Sequence, residues 1–406
     1  MNKQGTSNAT HGRLKWIARF AYGSSLAAEL RREGPWPVYG SGGQSGWHDE
    51  YNTASPALIV GRKGSFGSVF FVPTRAFCID TAYYIDKRHS KANLRWLYYA
   101  LQTLGLGTIS QDTGVPGLSR DTAYNSILRC PALAEQTAIV AFLDRETSRA
   151  DALVAKYEWL IELLEEKRVA LITQAVTKGL DPAVPMKDSG VEWIGEIPAH
   201  WFLLPLFALA EERGETNELY VTNNVLSLLK DIGVINYEDK GAIGNKKSED
   251  VGRYKIVNPG DLVINSMNVI IGSVGISSEF GCLSPVYIVL KSRKDFSTDM
   301  PFIELLFQTR TFQRWLTRIG YGILAHRMRI PMSNLKREVL PVPPENEREG
   351  IISFVSSETA KIVALVKRAR TAIDLIKERR SALITAAVTG QIDVSKYDND
   401  LAEATI

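Results

Sequence analysis

Apolar positions follow two rhythms along this chain. In one segment Ala150, Leu153, Tyr157, Leu160, Leu164, Lys167 and Leu171 advance by alternating steps of about three and four, the spacing of a heptad seam on a long helix. Ile362, Leu365, Ala369, Ala372, Ile376, Arg379 and Leu383 repeat that spacing further on. Both segments are rich in Ala, Leu, Glu, Lys and Arg, which favour helix, and neither carries an internal Gly or Pro. Gly179 and Gly390 stand where a C-terminal stop is expected. Each helix is expected to run for about 33 residues, or roughly 50 Å. Elsewhere the apolar runs are short and broken by Gly and Pro. Ala57–Val60, Ser68–Val72 and Ala82–Ile85 read as strands, followed by a helix over Leu94–Leu104. Asp261–Ile264, Ser273–Ile276 and Val286–Leu290 hold comparable places, followed by a helix over Phe302–Trp315.

The helical segments are copies of each other. Residues 135–181 align without a gap on residues 347–393, with roughly 20 identities in about 47 positions. The shared cores are EKRVALITQAVT and ERRSALITAAVT. Repetition on this scale fixes the layout: a globular region over 1–134, a long helix over 135–180, a linker and second globular region over 181–346, a second long helix over 347–393, and a polar tail over 394–406. The two seams are expected to pair within the chain, antiparallel about an internal pseudo-two-fold axis. Leu153, Tyr157, Leu160, Leu164, Leu171, Leu365, Ala372, Ile376 and Leu383 are the expected pairing residues. The fold class is α+β, with two mixed globular domains on a pair of long antiparallel helices. The globular regions have diverged far more than the helices, which suits two modules that recognise different targets.

Composition narrows the chemistry. A net charge of +3 is small for a chain that would grip a phosphate backbone unaided. Cys78, Cys130 and Cys282 have no short spacing, which argues for a reducing compartment and against a zinc ribbon. The longest apolar run, Trp201–Ala210, is broken by Pro205 and far short of the about 20 residues a spanning helix needs. These features read as a cytoplasmic protein with no membrane partner. There is no Walker-type phosphate loop, no His or Cys cluster for a metal, and no acidic cluster of a Mg²⁺ nuclease. The chain therefore reads as non-catalytic, with no catalytic residue, no metal site and no cofactor of its own.

The positive signals are polar loops. Gly40–His48 reads as a Gly-rich loop in which Gln44, Trp47 and His48 are candidates for DNA contact. Arg62 and Lys63 occupy the next turn, suited to phosphate. Ser119 and Arg120 close another Gly-containing stretch; Arg120 suits a guanine edge, a phosphate or plain solvent. In the second region Lys246, Lys247, Tyr254, Asn265, Asn268, Arg327 and Arg329 are the counterparts, Arg fitting guanine and Asn adenine.

Long stretches also resemble one known family. Phe142–Asp144, Ile161–Arg168, Ala170–Pro182 and Met186–Trp201 are similar to the repeat and linker of specificity subunits of type I restriction–modification systems, and Ile376–Asp393 is similar to their distal helix. Ala57–Ser68, Ile79–Tyr84, Val115–Ser119, Gly260–Val263, Ser284–Val289 and Arg327–Ile330 resemble their target recognition domains. One departure is visible: Leu14–Phe20 lacks the Gly-Glu-Ile-Pro-x-His-Trp lead-in present before the second region. The resemblance implies that each domain reads one half of a bipartite site in double-stranded DNA, while the helices set the spacer. It implies two modification subunits carrying S-adenosylmethionine and methylating adenine, and motor-nuclease subunits using ATP and Mg²⁺. A methylation-only system, a stand-alone DNA-modifying enzyme and a coiled-coil adaptor with no nucleic-acid role are the competing readings.

Overall fold

The computed structural model describes residues 10–108, 116–230, 232–242, 246–293, 299–321 and 328–394. It comprises two compact units, Met1–Tyr157 with Arg370–Ile406, and Glu158–Ala369. The units cut across the linear order of the repeat: each takes one globular region and a segment from each long helix.

The first unit opens with β1 (Thr10–Arg13), β2 (Ala21–Tyr22), β3 (Trp36–Gly40), β4 (Gly43–His48), β5 (Ala57–Gly61), β6 (Val69–Val72), β7 (Phe77–Cys78) and β8 (Ala82–Asp86). Helices α1 (Leu94–Gln102) and α2 (Arg120–Tyr124) and strand β9 (Ile127–Cys130) follow, before the long helix α3 (Leu133–Lys178). The sheet order is β2-β8-β5-β6, all antiparallel, with a second sheet β4-β3-β7 and a β1-β9 pair. The run Ala-Leu-Ile-Val-Gly of β5 is buried throughout. Its alternation sends Leu58 and Val60 into the main core and Ile59 into a smaller cluster on the other face. The Gly40–His48 stretch expected as a loop is largely a hairpin, with Tyr39 opposite Gln44 and Pro37 opposite Trp47. Its alternation is masked by small and polar residues, so the strand signal was missed.

The second unit holds β10 (Met186–Asp188), β11 (Glu196–Pro198), β12 (Phe202–Pro205), the short helix α4 (Leu206–Leu209) and β13 (Ala210–Glu212). Then come β14 (Leu226–Leu229), β15 (Gly233–Asn236), β16 (Lys255–Val257), β17 (Leu262–Asn265), β18 (Val274–Ile276), β19 (Gly281–Leu283) and β20 (Tyr287–Ser292). Helices α5 (Asp299–Phe307), α6 (Arg310–Leu316) and α7 (Met332–Leu335), strand β21 (Val339–Val342) and the long helix α8 (Glu345–Thr389) complete it. The sheet β13-β20-β17-β18 repeats the order of β2-β8-β5-β6, and β12-β21 repeats β1-β9. So the duplication includes the globular regions. The single helix expected over Phe302–Trp315 is two, because the Thr309 hydroxyl caps α6 by accepting from the Phe312 N–H.

The long helices are 46 and 45 residues, longer than their seams suggested. Both end where expected, at Gly179 and Gly390, whose φ of 73° and 77° suits glycine. In the first unit Ile139, Phe142 and Leu143 of α3 share a core with Ile384, Ala387 and Val388 of α8, and Arg380 pairs with Asp151 at 3.1 Å. In the second unit Ile172, Ala175 and Val176 share a core with Ile351 and Val355. The start of α3 thus meets the end of α8, and the end of α3 meets the start of α8, as an antiparallel pair requires.

The seam itself is displaced by one position on one side. Leu365 is 48% exposed and its neighbour Val366 is 6% exposed; Ala372 is half-buried and Ile373 is buried. The first copy shows the same displacement: Leu153 and Leu160 are exposed, whereas Val154 and Ile161 are less so. Tyr157, Leu164, Leu171, Ile376 and Leu383 are half-buried, on the line common to both readings. The chain spacing permits a step of three or of four after Ile362, and leucines stood at the wrong one. Burial follows the step of four, through β-branched Val366 and Ile373.

Candidate nucleic-acid interface

In the first unit the turn after β5 and the segment before α2 converge. The Leu118 N–H donates to the Arg62 carbonyl at 2.8 Å, and the Arg62 and Lys63 N–H groups donate to the Thr81 carbonyl at 2.9 and 3.1 Å. Lys63 also bridges Gly117. The Tyr83 hydroxyl donates to the Leu118 carbonyl at 3.1 Å. These backbone ties bring together residues far apart in sequence. They frame a cavity of about 400 Å³ lined by Tyr22, Arg62, Lys63, Tyr83, Ser119 and Arg120, with Asp121 as the one carboxylate among the described lining residues.

The cavity is cationic and aromatic. The Arg62 and Arg120 guanidiniums lie 5.0 and 5.1 Å from the centre of the Tyr22 ring. Tyr22 in turn meets Tyr83 edge-on at 5.1 Å. One Arg62 Nη donates to the Asp80 carbonyl at 3.1 Å, and the Nε of Arg120 is shielded from solvent without a hydrogen-bond partner among the described residues. Among the described residues no carboxylate forms an ion pair with Arg62, Lys63 or Arg120. Burial raises the Tyr83 hydroxyl above its usual pKa, helped by Tyr22 and opposed by the two arginines, so it stays a neutral donor. Four sequence candidates, Arg62, Lys63, Ser119 and Arg120, therefore share one place. Tyr22 and Tyr83 were missed, because a two-residue strand and an apolar-looking run carry no signal of a polar site.

The remaining candidates scatter. Gln44 and Trp47 are exposed on β4, Trp47 by 56%. His48 is buried instead: its Nδ1 accepts from the Arg32 N–H at 3.1 Å, and its ring packs edge-on against Phe77. It holds the hairpin and is not a surface reader. Tyr254 is buried among Val225, Ile256 and Cys282, and its hydroxyl accepts from the Ser248 N–H at 2.9 Å, so it too belongs to the core. Lys246 is exposed; Lys247 pairs with Glu238 at 2.7 Å, which raises its pKa. Arg327 lies outside the described residues.

Asn265, Asn268 and Arg329 occupy the counterpart of the first cavity. The Ile330 N–H donates to the Ser266 carbonyl at 2.9 Å, the equivalent of the Leu118–Arg62 bond. Asn265 caps its own turn by accepting from the Met267 N–H at 3.1 Å. Asn268 is half-buried, and Arg329 is exposed with its backbone paired to Tyr321. The two units thus build one topological site with different side chains. No group of three or more His, Cys, Asp or Glu among the described residues is placed to hold a metal, and no described helix is long and apolar enough to cross a membrane.

The first unit thus carries a cationic, aromatic cavity, and the second repeats its backbone with other side chains. Residues 13–158 match the type I restriction modification DNA specificity domain. Over most of its length the chain is similar to a specificity subunit of such a system. It is 23% identical over 366 residues to the EcoBI specificity subunit of the type I restriction enzyme from Escherichia coli, covering 82% of this chain and 73% of the relative. A chain solved in work on complex assembly and conformational transition of the type I R-M system shares the fold: TM-score 0.65 at 12% identity, over 97% of this chain and 100% of that one. The HsdS subunit from Thermoanaerobacter tengcongensis matches at 14% identity over 96% and 99% of the two chains, with a TM-score of 0.49.

Proposed function

We propose that this chain is the non-catalytic DNA sequence-recognition subunit of a type I restriction–modification complex. The observation that carries this reading is the duplicated site. The same strand order, ending in the same convergence of two loops, occurs twice, and the side chains there differ while the helices match. A symmetric scaffold with unlike readers suits one bipartite double-stranded site whose halves differ in sequence. Arg, Lys and Asn at the first and second sites suit guanine, phosphate and adenine respectively.

The matching helices are the parts that need not vary with the target. They set the separation of the half-sites and dock two modification subunits, which bind S-adenosylmethionine and methylate adenine. Motor-nuclease subunits with ATP and Mg²⁺ supply translocation and cleavage where the system restricts. The modest net charge of +3 fits, because phosphate contacts are shared across the complex. The test is genome-wide mapping of methylated adenines in the host, with and without this gene. A split motif that is methylated in the parent and unmethylated in the deletion is expected. An unchanged methylation map would reject the reading.

A further inference from the structure

The fold does not need the ring of Tyr22, and the repeat itself shows this. Strand register gives the equivalences. Tyr22 lies opposite Tyr83, and Tyr83 lies opposite Val60 in the neighbouring strand. In the second unit Ile288 lies opposite Ile264, and continuing the β13–β20 register past Glu212 and Leu290 brings Gly214 to the place of Tyr22. The paired backbone bonds from Leu118 and Ile330 put Ser266 at the place of Arg62 and Met267 at that of Lys63. Helix α7 begins at Met332 as α2 begins at Arg120. The second unit therefore keeps the whole sheet with no ring and no cation at these four positions. The Arg62–Tyr22–Arg120 arrangement is not something the fold requires.

We propose that Tyr22 is a specificity-positioning residue, holding the guanidiniums of Arg62 and Arg120 for guanine edges in the half-site read by the first unit. This rests on the DNA-reading function proposed above. A guanidinium stacked on an aromatic ring loses rotational freedom while its in-plane N–H donors stay available. That leaves the bidentate fork suited to guanine O6 and N7. Two like charges against one ring, with no carboxylate paired to either among the described residues, are relieved by an acceptor from outside. Lys63 at the rim is a flexible point charge, better suited to the neighbouring phosphate.

The experiment compares adenine methylomes of the native host carrying the wild-type gene, Tyr22→Ala or Tyr22→Phe, with the rest of the system intact. Tyr22→Ala is expected to make one half-site degenerate at guanine positions, with discrimination falling by about tenfold. The other half-site and the spacer stay as they were, which shows that the complex is assembled. Tyr22→Phe, which keeps the ring, retains the wild-type motif. If Tyr22→Ala gives weaker methylation at an unaltered motif, the arginines hold phosphate and the proposal fails. Total loss of methylation with Tyr22→Ala is resolved by duplex binding to the purified complex. Uniformly reduced affinity across base substitutions overturns the proposal, and relaxed preference at guanine supports it. A wild-type host without any split motif would instead sink the DNA-reading function itself.

Discussion

Single side chains in this protein are decided by their partners more than by their type. Glu304 on α5 shows the point. It lines a cavity of about 320 Å³ in the second unit with Arg168, Lys230 and Arg310 nearby on the same lining, and has no hydrogen bond or ion pair among the described residues. Burial pushes its carboxyl up to about 7. A raised folded pKa for an acid means that the folded state holds the proton more tightly than the unfolded chain. Glu304 therefore costs nothing below about pH 4.5, and its ionisation opposes folding increasingly up to about pH 7. Glu304→Gln is expected to stabilise the chain by about 1–3 kcal/mol at pH 8 and to be neutral near pH 4. Urea melts of both proteins at the two pH values check this; equal gains at both would refute it. Asp86 is the contrasting case. Burial works against its charge, yet hydrogen bonds from Arg88 and the Ala54 N–H outweigh burial and hold it at about 2.

At the level of elements, the helices show what periodicity resolves and what it leaves open. Their existence, copying and glycine stops were legible, because a 3.6-residue pattern over many turns has few alternatives. The phase of the seam was not. Leu365 and Val366 are both apolar, and only their burial in the fold distinguishes them. Val366→Ala is expected to cost roughly 1–3 kcal/mol, against less than about 0.5 for Leu365→Ala, by chemical denaturation. The reverse order would restore the seam read from sequence. The hairpin of Gln44 and Trp47 was hidden because glycine and serine blur alternation. His48 and Tyr254 looked like readers because residue type does not report burial. Arg62 and Arg120 looked like readers too, but nothing in the sequence says that strand pairing brings them to one ring.

Across the whole molecule, the proposed division of labour places spacing in one part and sequence in others. An insertion of about four residues before Thr173 lengthens α3 by roughly 6 Å, or about two base pairs of duplex. The methylated motif is then expected to keep both half-sites and to change only its spacer. Altered half-sites with the original spacer would contradict that division. The fold class followed from the repeat together with the short strand-like runs before each helix. The diverged recognition surfaces did not, because matching backbones here carry unmatched side chains.

The split of the first unit between two distant stretches of chain bears on how the protein is made. The second unit, Glu158–Ala369, is one continuous stretch and can close as it leaves the ribosome. The first cannot. Ile139, Phe142 and Leu143 emerge early, but Ile384, Ala387 and Val388, which complete their core, are translated roughly 240 residues later. The core around Ile139, Phe142 and Leu143 can begin with earlier residues such as Leu14, Phe20 and Trp96, but the unit begun first is the last to be finished.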